Sequence, residues 1–125
     1  MKGLTRVILR MGRNPDAGYP EGDDSHGYVV VAPLNHEGLL DDALWQAHRR
    51  DCTVVRFAPT PAERADGVLA RRGDNWFFHF EDQDEGGDES VFRLGAHRLL
   101  PGEYLTVREA DGDLLTYKVT ETQKV

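Results

Sequence analysis

The sequence predicts a mainly β (α+β) domain: a curled antiparallel sheet or small β-barrel of about seven or eight short strands with one amphipathic helix. Three observations carry this prediction. Short alternating apolar segments recur along the chain between turn-forming residues, and only Leu40–Arg50 switches to a helical period. No βαβ alternation continues past that segment, which argues against a parallel doubly wound sheet. Closure into a barrel is favoured because an open sheet of short strands would leave its edges unpaired.

The elements follow in order. Thr5–Met11 alternates, with Thr5, Val7, Leu9 and Met11 on one face, as a half-buried strand requires. The next stretch, 12–26, concentrates Pro, Gly, Asn and Asp and is expected to be a mobile loop. Tyr28–Ala32 is apolar on both faces and reads as a well-covered strand, ended by Pro33. In Leu40–Arg50, apolar Leu40, Ala43, Leu44 and Ala47 fall on one helical face, with Asp41 and Asp42 in the first turn and Arg49 and Arg50 in the last, as the helix dipole prefers. Thr53–Ala58 is again a strand, and Thr60-Pro61-Ala62-Glu63 has the form of a capping box on a helix that Gly67 limits to about one turn. Val68–Arg72 and Trp76–Glu81 form a hairpin across Gly73-Asp74-Asn75, with Trp76, Phe78 and Phe80 sharing a face.

Beyond the acidic run 82–89 comes a short strand at Ser90–Leu94, then a type II turn at Leu100-Pro101-Gly102-Glu103. The last hairpin is predicted in register. A two-residue Asp111-Gly112 loop would pair Val107 with Thr116, apolar against polar, whereas a three-residue loop with left-handed Gly112 and a bulge pairs Val107 with Leu115 and Leu105 with Tyr117. The bulged form matches the pattern. The 125 residues suit one domain, 1–125.

Charge narrows the partners. Twenty-two acids against fifteen Lys and Arg give a net charge of -7, which repels nucleic-acid backbones and anionic membrane surfaces. The excess is local: residues 1–62 carry seven bases and eight acids, residues 63–125 eight bases and fourteen acids, six of these between Glu81 and Glu89. The single Cys52 forms no internal disulfide, and the apolar run Val7-Ile8-Leu9 is too short for a signal-peptide core, so a cytoplasmic chain is expected. Oligomeric state stays open, homo-oligomers included.

Candidate sites are few. The run Asp82, Asp84, Glu85, Asp88 and Glu89 resembles a calcium loop in its alternating oxygens, but its fifth place is Gly86 and its twelfth Arg93. It is therefore expected to be a solvated hairpin loop, exchangeable for a Gly/Ser linker with little change in melting temperature. The five histidines lack metal-ligand spacing; His79 and His97, near Glu81 and Glu103, are the pair that could converge in a fold. Cys52 lies at a helix C-terminus, which disfavours a thiolate and points to a buried thiol. No G-x-S-x-G, P-loop or G-x-G-x-x-G motif occurs, and no cofactor is predicted. The aromatic strand Trp76–Phe80 is read as core.

Two resemblances accompany this reading. Leu99-Leu100-Pro101-Gly102-Glu103-Tyr104-Leu105-Thr106-Val107 is similar to the turn and strand before the second motif of cupin jelly rolls, although the cupin H-x-H and its downstream glutamate are missing. Over its whole length the chain resembles a group of small uncharacterised bacterial proteins in the order His26-Gly27-Tyr28, Ala32-Pro33-Leu34, Trp45 and His48, Asn75-Trp76, Phe78-His79, His97 and Pro101-Gly102-Glu103-Tyr104. That resemblance implies one compact domain and no mechanism. The function expected is a non-catalytic binding or protein-interaction module for a protein or small molecule; the alternative is a small metal-assisted enzyme of jelly-roll type using His79, Glu81, His97 and Glu103.

Overall fold

A computed structural model describes residues 3–80, 89–91, 94–109 and 112–125. Eight antiparallel strands follow one another around a closed barrel, each paired with its neighbour in sequence and the last with the first. They are β1 (Leu4–Met11), β2 (Asp23–Pro33), β3 (Thr53–Phe57), β4 (Ala65–Arg72), β5 (Asn75–Phe80), β6 (Glu89–Val91), β7 (Tyr104–Arg108) and β8 (Leu114–Lys124). Helix α1 (Asp42–Ala47) lies between β2 and β3.

Strand alternation sends one set of side chains inward. Leu9, Tyr28, Val30, Val54, Leu69, Phe78, Val91, Val107, Tyr117 and Val119 are all buried, and the register sets inward residues opposite one another, as with Val30 and Val54 or Leu105 and Tyr117. The interior is filled. Between Val7, Leu9, Val30, Leu69, Phe78 and Leu105 a gap of only about 10 Å³ remains, too small for a ligand and marginal for one water. Any binding must therefore occur at an end of the barrel, not along its axis.

One end is plugged. Asp41 caps α1, its Oδ1 accepting from the Leu44 amide at 3.1 Å. The helix drives Trp45 into the barrel, where it meets Trp76 edge-on at 5.4 Å and donates its indole N–H to the Leu69 carbonyl at 3.0 Å. Arg49 covers the outer face of that ring at 4.5 Å. At its C-terminus the chain leaves helical geometry at His48 and tightens into a 3-10 turn, Arg49–Asp51, before Cys52 enters the core. The helix is thus shorter than Leu40–Arg50, and its buried residue is Trp45, while Ala43 and Ala47 are exposed. A single large ring with a satisfied N–H outweighs the small-residue stripe that periodicity selected.

The opposite end carries the connections 12–22 and 58–64, together with Glu109, Gly112 and Asp113. Two expectations are corrected here. The segment 12–26 is not one loop: β2 begins at Asp23, Pro15–Ala17 forms a 3-10 turn, and Asn14 is bridged to Tyr19. Asn14 pins this segment to β8, its Nδ2 donating to Gly12 and Thr116 carbonyls at 3.1 and 3.0 Å and its Oδ1 accepting from the Thr116 amide at 2.8 Å. Asn14→Ala is expected to cost about 2 kcal/mol, because it removes three hydrogen bonds to part-buried backbone groups; urea unfolding checks this, and an unchanged midpoint would contradict it. Glu89, expected in the solvated acidic loop, is instead a residue of β6 and is 1% exposed. The remaining acids Glu81, Asp82, Asp84, Glu85 and Asp88 lie outside the described residues.

Smaller departures follow from strand geometry. Gly67 does not stop a helix but sits within β4, where the backbone of His79 passes so close that a Cβ would lie 2.0 Å from its carbonyl oxygen. Pro61–Glu63 forms a single 3-10 turn without a side-chain cap from Thr60. The last hairpin matches its predicted register pair for pair, with Gly112 at φ 94°. The turn at Leu100–Glu103 is also as expected, with Gly102 at φ 99° and the Glu103 amide bonded to the Leu100 carbonyl.

Candidate functional site

The end of the barrel away from α1 opens into a cavity of about 450 Å³, whose lining includes Tyr19, His26, Arg56, Glu63, Glu89 and Tyr117. Mouths of β-barrels are recurrent ligand sites because rigid staves hold side chains converging from several strands. The floor arises from strand register. Arg56 is opposite Tyr28 across β2 and β3, so both point inward, and Glu89 is opposite Phe78 across β5 and β6 and does likewise.

Those side chains form a buried polar network. The Tyr28 hydroxyl donates to Glu89 Oε1 at 2.8 Å, and the Arg56 guanidinium meets Glu89 Oε2 at 3.0 Å. Arg56 also stacks over Phe80 at 4.9 Å and donates Nε–H to the Glu63 carbonyl at 2.7 Å, tying floor to rim. Beside it, the Tyr117 hydroxyl donates to Glu109 Oε1 at 3.0 Å, with the Tyr28 and Tyr117 rings 5.0 Å apart. Burial, reinforced by neighbouring carboxylate charge, pushes both phenols well above the ordinary tyrosine range. Both hydroxyls are therefore fixed donors at physiological pH.

The rim adds an oriented imidazole. His26 Nδ1 lies 2.7 Å from Asp23 Oδ2, and Asp23 Oδ1 also accepts from the Ser25 amide and hydroxyl. These hydrogen bonds, those from Ser25 foremost, hold the Asp23 carboxyl below the usual range. An ionised carboxylate only accepts, so Nδ1 carries the proton and Nε2 turns toward Glu63 Oε2, 3.7 Å away. Tyr19 abuts the ring edge-on at 5.6 Å.

The chain was compared with protein-family models, curated proteins and solved structures. None matches it.

Of the residues that the sequence singled out, those among the described residues are placed apart from this mouth, with one exception. His79 is exposed on the outer face of β5 between inward Phe78 and Phe80; His97 follows the 3-10 turn Leu94–Ala96; Glu103 is exposed in the turn leading into β7. Glu81 lies outside the described residues. Among the described residues no group of three or more His, Cys, Asp or Glu is arranged to hold a metal ion. Glu89 is the exception, at the cavity floor. Cys52 is fully buried, and burial pushes its thiol up to about 11, which suits packing and not nucleophilic chemistry. No helix among the described residues is long and apolar enough to cross a membrane.

Sequence reasoning missed Tyr28, Arg56 and Tyr117 as site residues and passed over Asp23, His26 and Glu63. A signal for Arg56 was present: it stands two residues after Val54, so any register that buries Val54 turns a guanidinium inward.

Proposed function

We propose that the protein is a non-catalytic binding module that takes a small polar molecule in the open mouth of its barrel. The observation that carries this reading is the Tyr28–Glu89–Arg56 network on the cavity floor. A buried ion pair is often no more stabilising than apolar residues of equal size, and the rest of the barrel interior shows that this fold can be filled with apolar side chains. Polar groups retained at an end that opens, among the described residues, into a cavity fit ligand recognition better than stability. The volume of about 450 Å³ is within the range of small-molecule sites. We place this binding in the cytoplasm, in line with a single buried thiol.

The test is a heteronuclear NMR titration of the whole chain with compact amines, carboxylates and polyols. Amide shifts at 17–28, 56–63 and 115–117, with none around α1, are the expected result. Ala62→Trp, placed to fill the cavity from its exposed rim, should abolish these shifts while leaving the melting temperature nearly unchanged. Shifts confined to other surfaces, or shifts that persist in Ala62→Trp, would refute the reading.

A further inference from the structure

The floor of the mouth leaves a strong donor unused. Arg56 Nε–H donates to the Glu63 carbonyl at 2.7 Å and Nη1 lies 3.0 Å from Glu89 Oε2, while Nη2, with its two N–H groups, has no hydrogen-bond partner among the described residues. Those two contacts and the stack on Phe80 at 4.9 Å fix the guanidinium plane. The side chain is only 18% exposed, yet Nη2 is not among the buried polar atoms closed off from any partner, so it opens to the cavity that Arg56 lines. A guanidinium keeps its proton at every ordinary pH, which makes Nη2 a donor whatever the state of its neighbours. A fixed, largely desolvated donor in a concave site calls for an acceptor oxygen on the ligand.

Charge decides which oxygen. Glu89 already matches the positive charge of Arg56, and Glu63 adds a carboxylate at the rim. After burial, the carboxylate charges of Glu89 and Glu109 help to hold the Tyr28 and Tyr117 phenols protonated, so the field at the floor is negative. An anionic ligand would enter against that field. An ammonium has donors only and would meet the guanidinium head-on. The acceptor that remains is an uncharged carbonyl, and amide resonance enriches a carboxamide oxygen without giving the group a net charge. Ala17, Ala58 and Ala62 leave room beside the Phe57 ring for a flat apolar body.

We propose that the mouth takes an uncharged carboxamide on a compact flat body, its carbonyl oxygen accepting from Arg56 Nη2 and its body lying against Phe57 and the three alanines. This deepens the binding reading above and rests on it. No bond is made or broken.

Three probes that share one ring test it: benzamide, benzoate and benzylamine, titrated into the full chain by NMR. Benzamide is expected to bind at least about tenfold more tightly than the other two, a gap of about 1.4 kcal/mol. It should also shift the Arg56 Nη2 resonances in guanidinium nitrogen spectra, while Nε–H, held by the Glu63 carbonyl, moves little. Arg56→Lys keeps a positive charge for Glu89 but has no Nη2, and should lose the preference for benzamide. If that variant does not fold, the Nη2 shift in the unsubstituted chain decides by itself. Benzoate or benzylamine bound as tightly as benzamide, benzamide bound without a shift at Nη2, or an undiminished preference in folded Arg56→Lys would overturn the carboxamide assignment. Binding of amines, carboxylates or polyols in the mouth without benzamide would overturn it while leaving the binding module standing; absence of any binding in the mouth would remove both.

Discussion

Glu89→Ala is expected to destabilise the protein by about 3–5 kcal/mol, the usual cost of removing one member of a buried ion pair. Glu89 is 1% exposed and holds the Arg56 guanidinium and the Tyr28 hydroxyl. Without it, a positive charge whose side chain is only 18% exposed faces Phe80 and a buried phenol. The midpoint of thermal unfolding should fall by roughly 12–20 °C. Replacing both partners, as Glu89→Leu with Arg56→Met, should restore part of the loss, because neither charge then remains to be desolvated while the Tyr28 hydroxyl still lacks this acceptor, and ligand binding should not return. A Glu89→Ala loss below about 1 kcal/mol would mean that the carboxylate is solvated, and the network would lose its meaning for the site.

Gly27→Ala is expected to be comparably damaging for a purely steric reason. A Cβ at Gly27 would lie 1.9 Å from the Leu9 carbonyl oxygen and 2.6 Å from the Phe57 ring. The carbonyl belongs to the β1–β2 ladder and cannot move without unpairing it. Overpacking against backbone of this kind costs about 3 kcal/mol, the upper end of the usual range, and it would shift His26 next door. Gly73→Ala is the control: it has φ 62° with nothing within 4 Å, so only the left-handed penalty of about 1 kcal/mol applies. Denaturant unfolding of both variants decides the matter; equal losses would mean that the close approach of β1 and β2 is not as described.

The barrel was legible where a pattern has a period. Alternation located β1, β5, β7 and β8, and matching apolar partners across the last hairpin selected the bulged turn with Gly112 left-handed. Helix α1 was legible in its place along the chain and in acidic Asp42 of its first turn, but not in its length, with Arg49 and Arg50 falling beyond it, nor in its buried face, because Trp45 outweighs the four smaller residues around it. The mouth was nearly invisible. Its polar floor is assembled from Tyr28 on β2, Arg56 on β3, Glu89 on β6 and Tyr117 on β8, residues far apart in sequence that only barrel closure brings together. Glu89 was masked further by five acids just before it, since composition assigned the whole run to solvent. The His26–Asp23 pair was hidden by the turn-forming residues that made 12–26 read as a loop, although three-residue spacing alone could have suggested the contact.

The staves are unequal. Among the described residues β6 has three, and its register with β5 and β7 comprises two residue pairs on each side, whereas β1 meets β2 and β8 along nearly its whole length. Among the described residues the hoop is thus thinnest beside the carboxylate that anchors its open rim, and amide exchange should be fastest along this seam, at Phe77, Phe78, Val107 and Arg108. A guest too bulky for the resting aperture would gain entry by parting that seam, with the other seven strands keeping the wall intact.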